Sequence, residues 1–274
     1  MTGETTGPAR DATARRDTAG NATVEAVRAE WTKIATLRSA IVLLVLTCAV
    51  AVALGWLSGW SVGNAFDRGL DVVRPDFHPV TAGHYPLRYA QVLLIAFAVL
   101  LVGSEYGSGT IRTSLTAVPS RGRFYLAKVV AGLVPAAVVA VLTAAGGVTA
   151  TQWGLGRYGV PLDHDDVLPT TLGAVGYLVL MYALCVGVAT VLRNTALATS
   201  LLVVLVMVLS PLANRVEALR GVARYLPDHA GAQLMTVGAQ ADPELGPVAG
   251  LLILTAWATA ALVGGYLALR SRAV

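Results

Sequence analysis

The chain has few charged side chains and few of the residues that catalytic and metal sites use. Only 13% of its 274 residues are charged, whereas a soluble domain carries roughly 25%. Two lysines, two cysteines and four histidines are present, and the mean hydropathy is +0.66. So low a charge content excludes an ordinary water-soluble surface.

Each scarcity also excludes a class of site. Cys48 and Cys185 are far from each other and from any histidine in the sequence, so neither a disulfide nor a zinc framework is expected. Neither Lys33 nor Lys128 follows the glycine-rich pattern of a phosphate-binding loop. The basic residues form no stripe typical of a nucleic-acid surface. We therefore expect no catalytic residue, metal, bound cofactor or nucleic-acid partner in this chain.

The few charges leave six long charge-free intervals: 39–66, 89–104, 129–156, 167–192, 194–214 and 245–269. About 20 apolar residues in a helix cross the hydrocarbon core of a bilayer, and five of the intervals hold at least 21 residues. The interval between Arg88 and Glu105 holds 16, and it spans only if Arg88 snorkels outward and Glu105 lies at the interface.

Because lipid offers no partner to the backbone, each apolar interval must be helical. The predicted fold class is all-α, a polytopic bundle of six transmembrane helices with an amino-terminal amphipathic helix and a cytoplasmic coupling helix. The predicted domains are a disordered cytoplasmic tail (1–21), an amphipathic interfacial helix (22–38) and a six-span domain (39–272). The predicted spans are about 39–60, 88–104, 124–152, 167–192, 195–213 and 247–269.

The distribution of basic residues predicts the orientation. With the amino terminus in the cytoplasm, 13 of the 20 lysines and arginines lie on the cytoplasmic side and ten of the sixteen acids lie outside. The positive-inside rule therefore favours both termini in the cytoplasm.

Two segments outside the spans have an amphipathic pattern. Val24, Val27, Trp31 and Ile34 share one helical face, which predicts a helix on the membrane surface with Glu30 and Lys33 on its polar side; a plain lead into the first span is the alternative. Between spans two and three, Ile111, Leu115 and Val118 recur at helical spacing, which predicts a short helix parallel to the membrane. The alternative there is an idle basic connector.

The predicted spans contain no carboxylate and no histidine. An ionisable residue at the bilayer centre costs roughly 2.5 to 3.5 kcal/mol, so membrane proteins keep one only for a function such as an ion relay. We therefore expect a bundle core without titratable groups, and an energy source outside this chain. The segment 229–241 is too short to span and fits a re-entrant or outer-leaflet helix.

Three stretches resemble the ABC-2 type permease subunits of bacterial ATP-binding cassette transporters. They are AEWTKIATLRSA at 29–40, EYGSGTIRTSLTAVPSRGRFYLAK at 105–128 and RYLPDHAG at 224–231. The resemblance implies a multi-pass protein of the bacterial cell membrane that exports an apolar or amphipathic solute. It also implies two copies of a separate ATPase subunit, which bind the ATP and Mg, and a dimer with itself or a second permease.

The resemblance also assigns roles to residues. The coupling contact with the ATPase would use Glu105, Tyr106, Gly109, Thr110, Ile111, Arg112, Leu115 and Val118. The interfacial helix would use Glu30, Trp31, Lys33 and Arg38. Polar residues inside spans that could line the pathway are Thr47, Gln91, Thr143 and Ser200.

Two other functions fit the sequence. One is an integral membrane enzyme with an outward-facing site, built on His164 with Asp163, Asp165 and Asp166 or on His229 with Asp228. The other is a non-transporting membrane anchor for an ATPase.

Overall fold

The protein, seen here in a computed structural model, is described over residues 24–70, 77–108, 120–238 and 241–271. These residues form helices and no strand. Six of the helices are long and apolar enough to cross a membrane, which confirms the all-α, six-span fold class. The predicted tail (1–21) and the predicted coupling helix (109–118) lie outside the described residues.

Nine helices are numbered here in chain order. They are α1 (24–36), α2 (Arg38–Asp67), α3 (Leu87–Ser108), α4 (Arg121–Leu155), α5 (Val167–Leu192), α6 (195–215), α7 (Glu217–Ala223), α8 (Pro227–Ala232) and α9 (Pro247–Ser271). A single helical turn, Pro79–Ala82, precedes α3. The candidate spans are α2 to α6 and α9.

The second span is longer than the charge-free interval in the sequence. The candidate span runs from Pro79 to Ser104, because the turn before α3 adds uncharged residues ahead of Arg88. The helix itself continues to Ser108, so the backbone of Glu105 and Tyr106 belongs to the end of α3.

Helices α3 and α5 form the centre of the bundle, and α2, α6 and α9 form its outside. The apolar windows of the two central helices are 61% buried, against 22% for each of the outer three. The outer helices expose large apolar side chains, among them Val45, Leu201 and Leu252. Such surfaces suit contact with lipid or with another membrane helix.

Small residues bring α2 and α4 into close contact. Ala51, Gly55, Gly59 and Gly63 follow one another at every fourth position of α2 and are buried. A Cβ placed on Gly59 would lie 2.3 Å from the carbonyl oxygen of Thr151 on α4. The backbones therefore approach as they do at small-residue seams between membrane helices.

We expect Gly59→Ala to destabilise the protein by about 1–3 kcal/mol, because the added methyl group overlaps a backbone oxygen that cannot move alone. Gly176→Ala is the matched control, since a Cβ on Gly176 of α5 meets nothing within 4 Å. The measurement is the free energy of unfolding in detergent micelles. Equal stability of the two variants would contradict the close packing of α2 on α4.

At one end of the bundle, polar contacts join the ends of several helices. We call this end of the bundle the α1 face. Arg121 Nη1 at the start of α4 donates to the carbonyl oxygens of Leu269 and Arg270 at the end of α9, both at 2.9 Å. Arg193, in the left-handed region with φ 53°, forms the turn from α5 to α6 and donates to Ala268 O at 2.8 Å. The other end of the bundle, with α7 and α8, is called the opposite face.

Helix α8 and the residues after it pack against the bundle at the opposite face. Asp228 and Ala230 of α8 are buried, as is Met235 in the 3₁₀ turn that follows. Residues 239–240 of the predicted re-entrant segment (229–241) lie outside the described residues.

Candidate functional site

A buried ion pair joins α1 to α4 at the α1 face. Lys128 Nζ of α4 lies 2.8 Å from Glu30 Oε2 of α1, and the two side chains are only 4% and 5% exposed. Lys33 Nζ, on the exposed side of α1, lies 2.7 Å from the other oxygen of Glu30. Lys128 Nζ also lies 3.5 Å from Leu101 O and 5.4 Å from the centre of the Phe124 ring. The pair therefore connects α1, α3 and α4.

The Glu30 carboxylate is stabilised in its charged form. Burial on its own would raise its pKa, but the two lysines outweigh the burial, so the pKa of Glu30 lies below its usual value. A buried charge is tolerated when it is paired and hydrogen-bonded.

The placement of Glu30 on the exposed polar side of α1 was wrong, and so was the expectation of a bundle core without titratable groups. Ala26, Glu30 and Ile34, four residues apart, form the buried face of α1, whereas Val24 and Trp31 are 50% and 46% exposed. The helix turns Glu30 inward together with the apolar Ala26 and Ile34, because Lys128 supplies an opposite charge there.

The other predicted interfacial residues lie near this pair. Trp31 and Lys33 are exposed on α1. Leu37 has an extended conformation that ends α1, and Arg38 is the first residue of α2. Of the predicted coupling residues, Gly109, Thr110, Ile111, Arg112, Leu115 and Val118 lie outside the described residues.

Acidification should loosen this contact. Because the pKa of Glu30 is lowered in the folded protein, its stabilising contribution is present above the unfolded value of about 4.3 and is lost as the pH falls through the folded value. We expect the melting temperature to fall more steeply below about pH 5 in the wild type than in Glu30→Gln. Parallel pH profiles would contradict a charged Glu30.

A cavity of about 140 Å³ with several polar side chains in a mostly apolar lining lies at the opposite face, between α3, α5 and α8. Its polar lining consists of Thr81, His84, Tyr85, Arg88, Gln91, Tyr177, Asp228, His229 and Thr236. Tyr177 O–H donates to Gln91 Oε1 at 2.5 Å, and Gln91 Nε2 donates to Arg88 O at 3.0 Å. Gln91 and Tyr177 therefore hold each other in place on α3 and α5.

Asp228 enters the lining through a contact with α6. Ser210 Oγ donates to Asp228 Oδ1 at 2.7 Å, and burial raises the pKa of Asp228 despite this hydrogen bond. Residues Leu205–Leu209 of α6 form a π-helical turn just before Ser210. Pro211 has no N–H to donate to the preceding turn, which accounts for the irregular turn at this point.

Two histidines present unsatisfied nitrogens at the cavity. His84 is 4% exposed, and neither its Nδ1 nor its Nε2 has a hydrogen-bond partner in the protein. His229 Nε2 is buried and likewise lacks a partner. Most buried polar groups are hydrogen-bonded, so such exceptions mark a place where a ligand can bind.

The predicted pathway residues do not share one lining. Gln91 lies in the cavity, while the Thr47 hydroxyl donates to Leu43 O of its own helix at 2.7 Å. Thr143 is fully buried and lies 3.5 Å from Cys48 Sγ in the contact between α2 and α4. Ser200 is exposed on α6.

The acidic turn around His164 is exposed. His164 Nδ1 lies 3.8 Å from Asp166 Oδ2, and both side chains are well over a third exposed. Within the described ranges, no group of three or more histidines, cysteines and carboxylates is placed to hold a metal ion.

The chain was compared with known proteins. No protein-family model matches it, and no curated protein sequence matches it either.

Sequence reasoning missed the cavity and the buried pair because their members are far apart in the chain. Glu30 and Lys128 are separated by 98 positions, and Gln91 and Tyr177 by 86. A signal for Glu30 was present, since it lies four residues from Ala26 and from Ile34 and thus shares one helical face with these two apolar residues.

Proposed function

We propose that this protein is the membrane-spanning permease subunit of an ATP-binding cassette transporter. In this proposal it exports an apolar or amphipathic solute, and a separate ATPase subunit supplies the energy. Six candidate spans support a multi-pass membrane protein. The sequence resemblance supplies the transporter class.

One observation carries the proposal: the ion pair joins the two longest stretches that resemble the permeases. Glu30 belongs to the stretch 29–40, and Lys128 ends the stretch 105–128. These stretches are far apart in sequence, but their charged residues meet in a buried contact. A permease needs such a link, because force from an ATPase must reach the bundle through packed elements with defined geometry.

The proposed path of the force begins at the coupling segment. The ATPase would receive Ile111, Leu115 and Val118 in a groove, with Arg112 at the rim. The segment connects the end of α3 to the start of α4, and Lys128 lies about two helical turns after Arg121. Movement of α4 would then carry α1 through Glu30.

We place both termini in the cytoplasm of a bacterial cell, in the cell membrane. The α1 face carries a cluster of basic residues at helix ends: Lys33, Arg38, Arg121, Arg123, Arg193 and Arg270. The positive-inside rule favours the cytoplasm for that face. The proposed dimer has two ATPase subunits and passes the solute between its two permease chains.

Purification of the tagged chain from its native membrane tests this proposal. We expect an ATP-binding cassette subunit to remain bound in about a one-to-one ratio, in a complex that contains two of each chain. The purification is carried out at low detergent and into lipid nanodiscs. Recovery of the folded chain without any nucleotide-binding subunit would overturn the proposal.

A further inference from the structure

The cavity at the opposite face has the charge pattern of a binding site for a ligand with two opposite charges. Arg88 and Asp228 both line it, Arg88 with an exposed side chain and Asp228 with a buried one. A simple cation would be repelled by Arg88, and a simple anion would be repelled by Asp228. A zwitterion satisfies both residues at once.

His84 adds a donor and an acceptor to the lining of the same cavity. A neutral imidazole carries one N–H donor and one acceptor nitrogen, and neither nitrogen of His84 has a partner in the protein. A buried polar group without a partner destabilises the fold, and a ligand that supplies the partner removes that penalty. The acceptor nitrogen suits an ammonium group, and the N–H suits an anionic oxygen.

The size of the cavity limits the ligand. Its volume of about 140 Å³ is similar to the roughly 150 Å³ of an engineered protein cavity that binds benzene. Only a small solute, or the polar head of a larger molecule, fits there. The hydrogen-bonded pair of Gln91 and Tyr177 fixes one wall, and the contact of Ser210 with Asp228 fixes another.

We propose that this cavity binds a small zwitterionic group, with its ammonium at Asp228 and its anionic oxygens at Arg88, while His84 bridges the two ends. The group reaches the cavity either as a free small zwitterion or as the head of an ethanolamine phospholipid, because both carry an ammonium a short distance from an anion. The site is distinct from the coupling segment and does not depend on the ATPase.

Titration calorimetry on the purified protein in phosphatidylglycerol nanodiscs tests this site. The probes are glycine and phosphoethanolamine, with ethylamine and acetate as ligands of a single charge. We expect saturable binding of at least one zwitterion, at least tenfold tighter than either single-charge ligand. Absence of saturable zwitterion binding, or equal binding of ethylamine or acetate, would overturn the proposal.

Variants locate the binding in the cavity. We expect Arg88→Gln, a change at an exposed side chain, and His84→Phe each to weaken zwitterion binding at least tenfold. His164→Phe is the matched control, because His164 lies in an exposed turn outside the cavity lining. The zwitterion affinity of this variant should equal that of the wild type. If His84→Phe does not fold, Arg88→Gln decides alone, and unchanged affinity in that variant overturns the assignment.

The source of the group is decided by repeating the titration in nanodiscs that contain ethanolamine phospholipid. If the lipid head occupies the cavity, free zwitterions will bind at least tenfold more weakly there than in phosphatidylglycerol. If the ligand is a free solute, the affinities will match within about twofold. Both results support the cavity as a zwitterion site and differ only in what delivers the group.

Discussion

Replacing Lys128 with methionine should destabilise the protein by about 3 kcal/mol, because it leaves the buried carboxylate of Glu30 without its closest buried partner. The estimate is at the lower end for a broken buried pair, since Lys33 still contacts Glu30. The free energy of unfolding in mixed micelles measures the loss, and amide exchange over residues 24–36 shows whether α1 detaches first.

A double substitution separates the pair from ordinary packing. Glu30→Met combined with Lys128→Met removes both charges, and buried ion pairs are often replaced by apolar residues with little cost. We therefore expect the double variant to regain most of the stability that Lys128→Met loses. Lys33→Met, which changes a half-exposed side chain, should cost less than about 1 kcal/mol. Additive losses in the double variant would contradict a direct interaction.

Ile111→Asp should abolish binding of the partner ATPase, with at least a tenfold loss of the subunit that co-purifies with the chain. A charged side chain placed in the apolar centre of an interface is left desolvated and unpaired, and such central positions dominate binding energy. Thr113→Asp is the matched control, because position 113 lies two residues away and so on the other side of the predicted helix.

The folding of both variants is checked by their melting temperatures in detergent. Ile111 and Thr113 belong to the predicted coupling segment, between the predicted spans in the sequence, so we expect neither substitution to lower stability. Equal loss of the ATPase in the two variants would contradict a docking face formed by Ile111, Leu115 and Val118.

The spans could be predicted from the sequence because charged residues border them. Arg38 and Asp67 are the first and last residues of α2, and Arg193 and Asn194 make the turn between α5 and α6 as the short polar link indicates. Asn194 also caps α6 through a hydrogen bond from Leu197 N at 2.9 Å. These helix boundaries depend on residues that are neighbours in the chain, so they can be predicted from the sequence.

The candidate sites could not be predicted in the same way, because they depend on which helix faces which. The period of Val24, Val27, Trp31 and Ile34 predicts a membrane-facing side of α1 with Glu30 away from it. In the structure Glu30 and Ile34 are both buried, and Lys128 of a distant helix supplies the charge opposite Glu30. In the sequence, nothing marks His84 as part of a site, because it is an isolated histidine in a proline-containing segment. It becomes part of a site only when α5 and α8 bring Tyr177 and Asp228 beside it.

We propose that ATP hydrolysis in a partner subunit drives this bundle, and a hydrolysis assay in liposomes measures that coupling. An ATP-binding cassette subunit that co-purifies with this chain is assayed alone, with the wild-type chain and with the Ile111→Asp variant. We predict that the wild-type chain changes the hydrolysis rate at least threefold. With the variant, the rate should equal that of the ATPase assayed by itself. An identical rate in all three samples, with both proteins folded and reconstituted, would contradict the account.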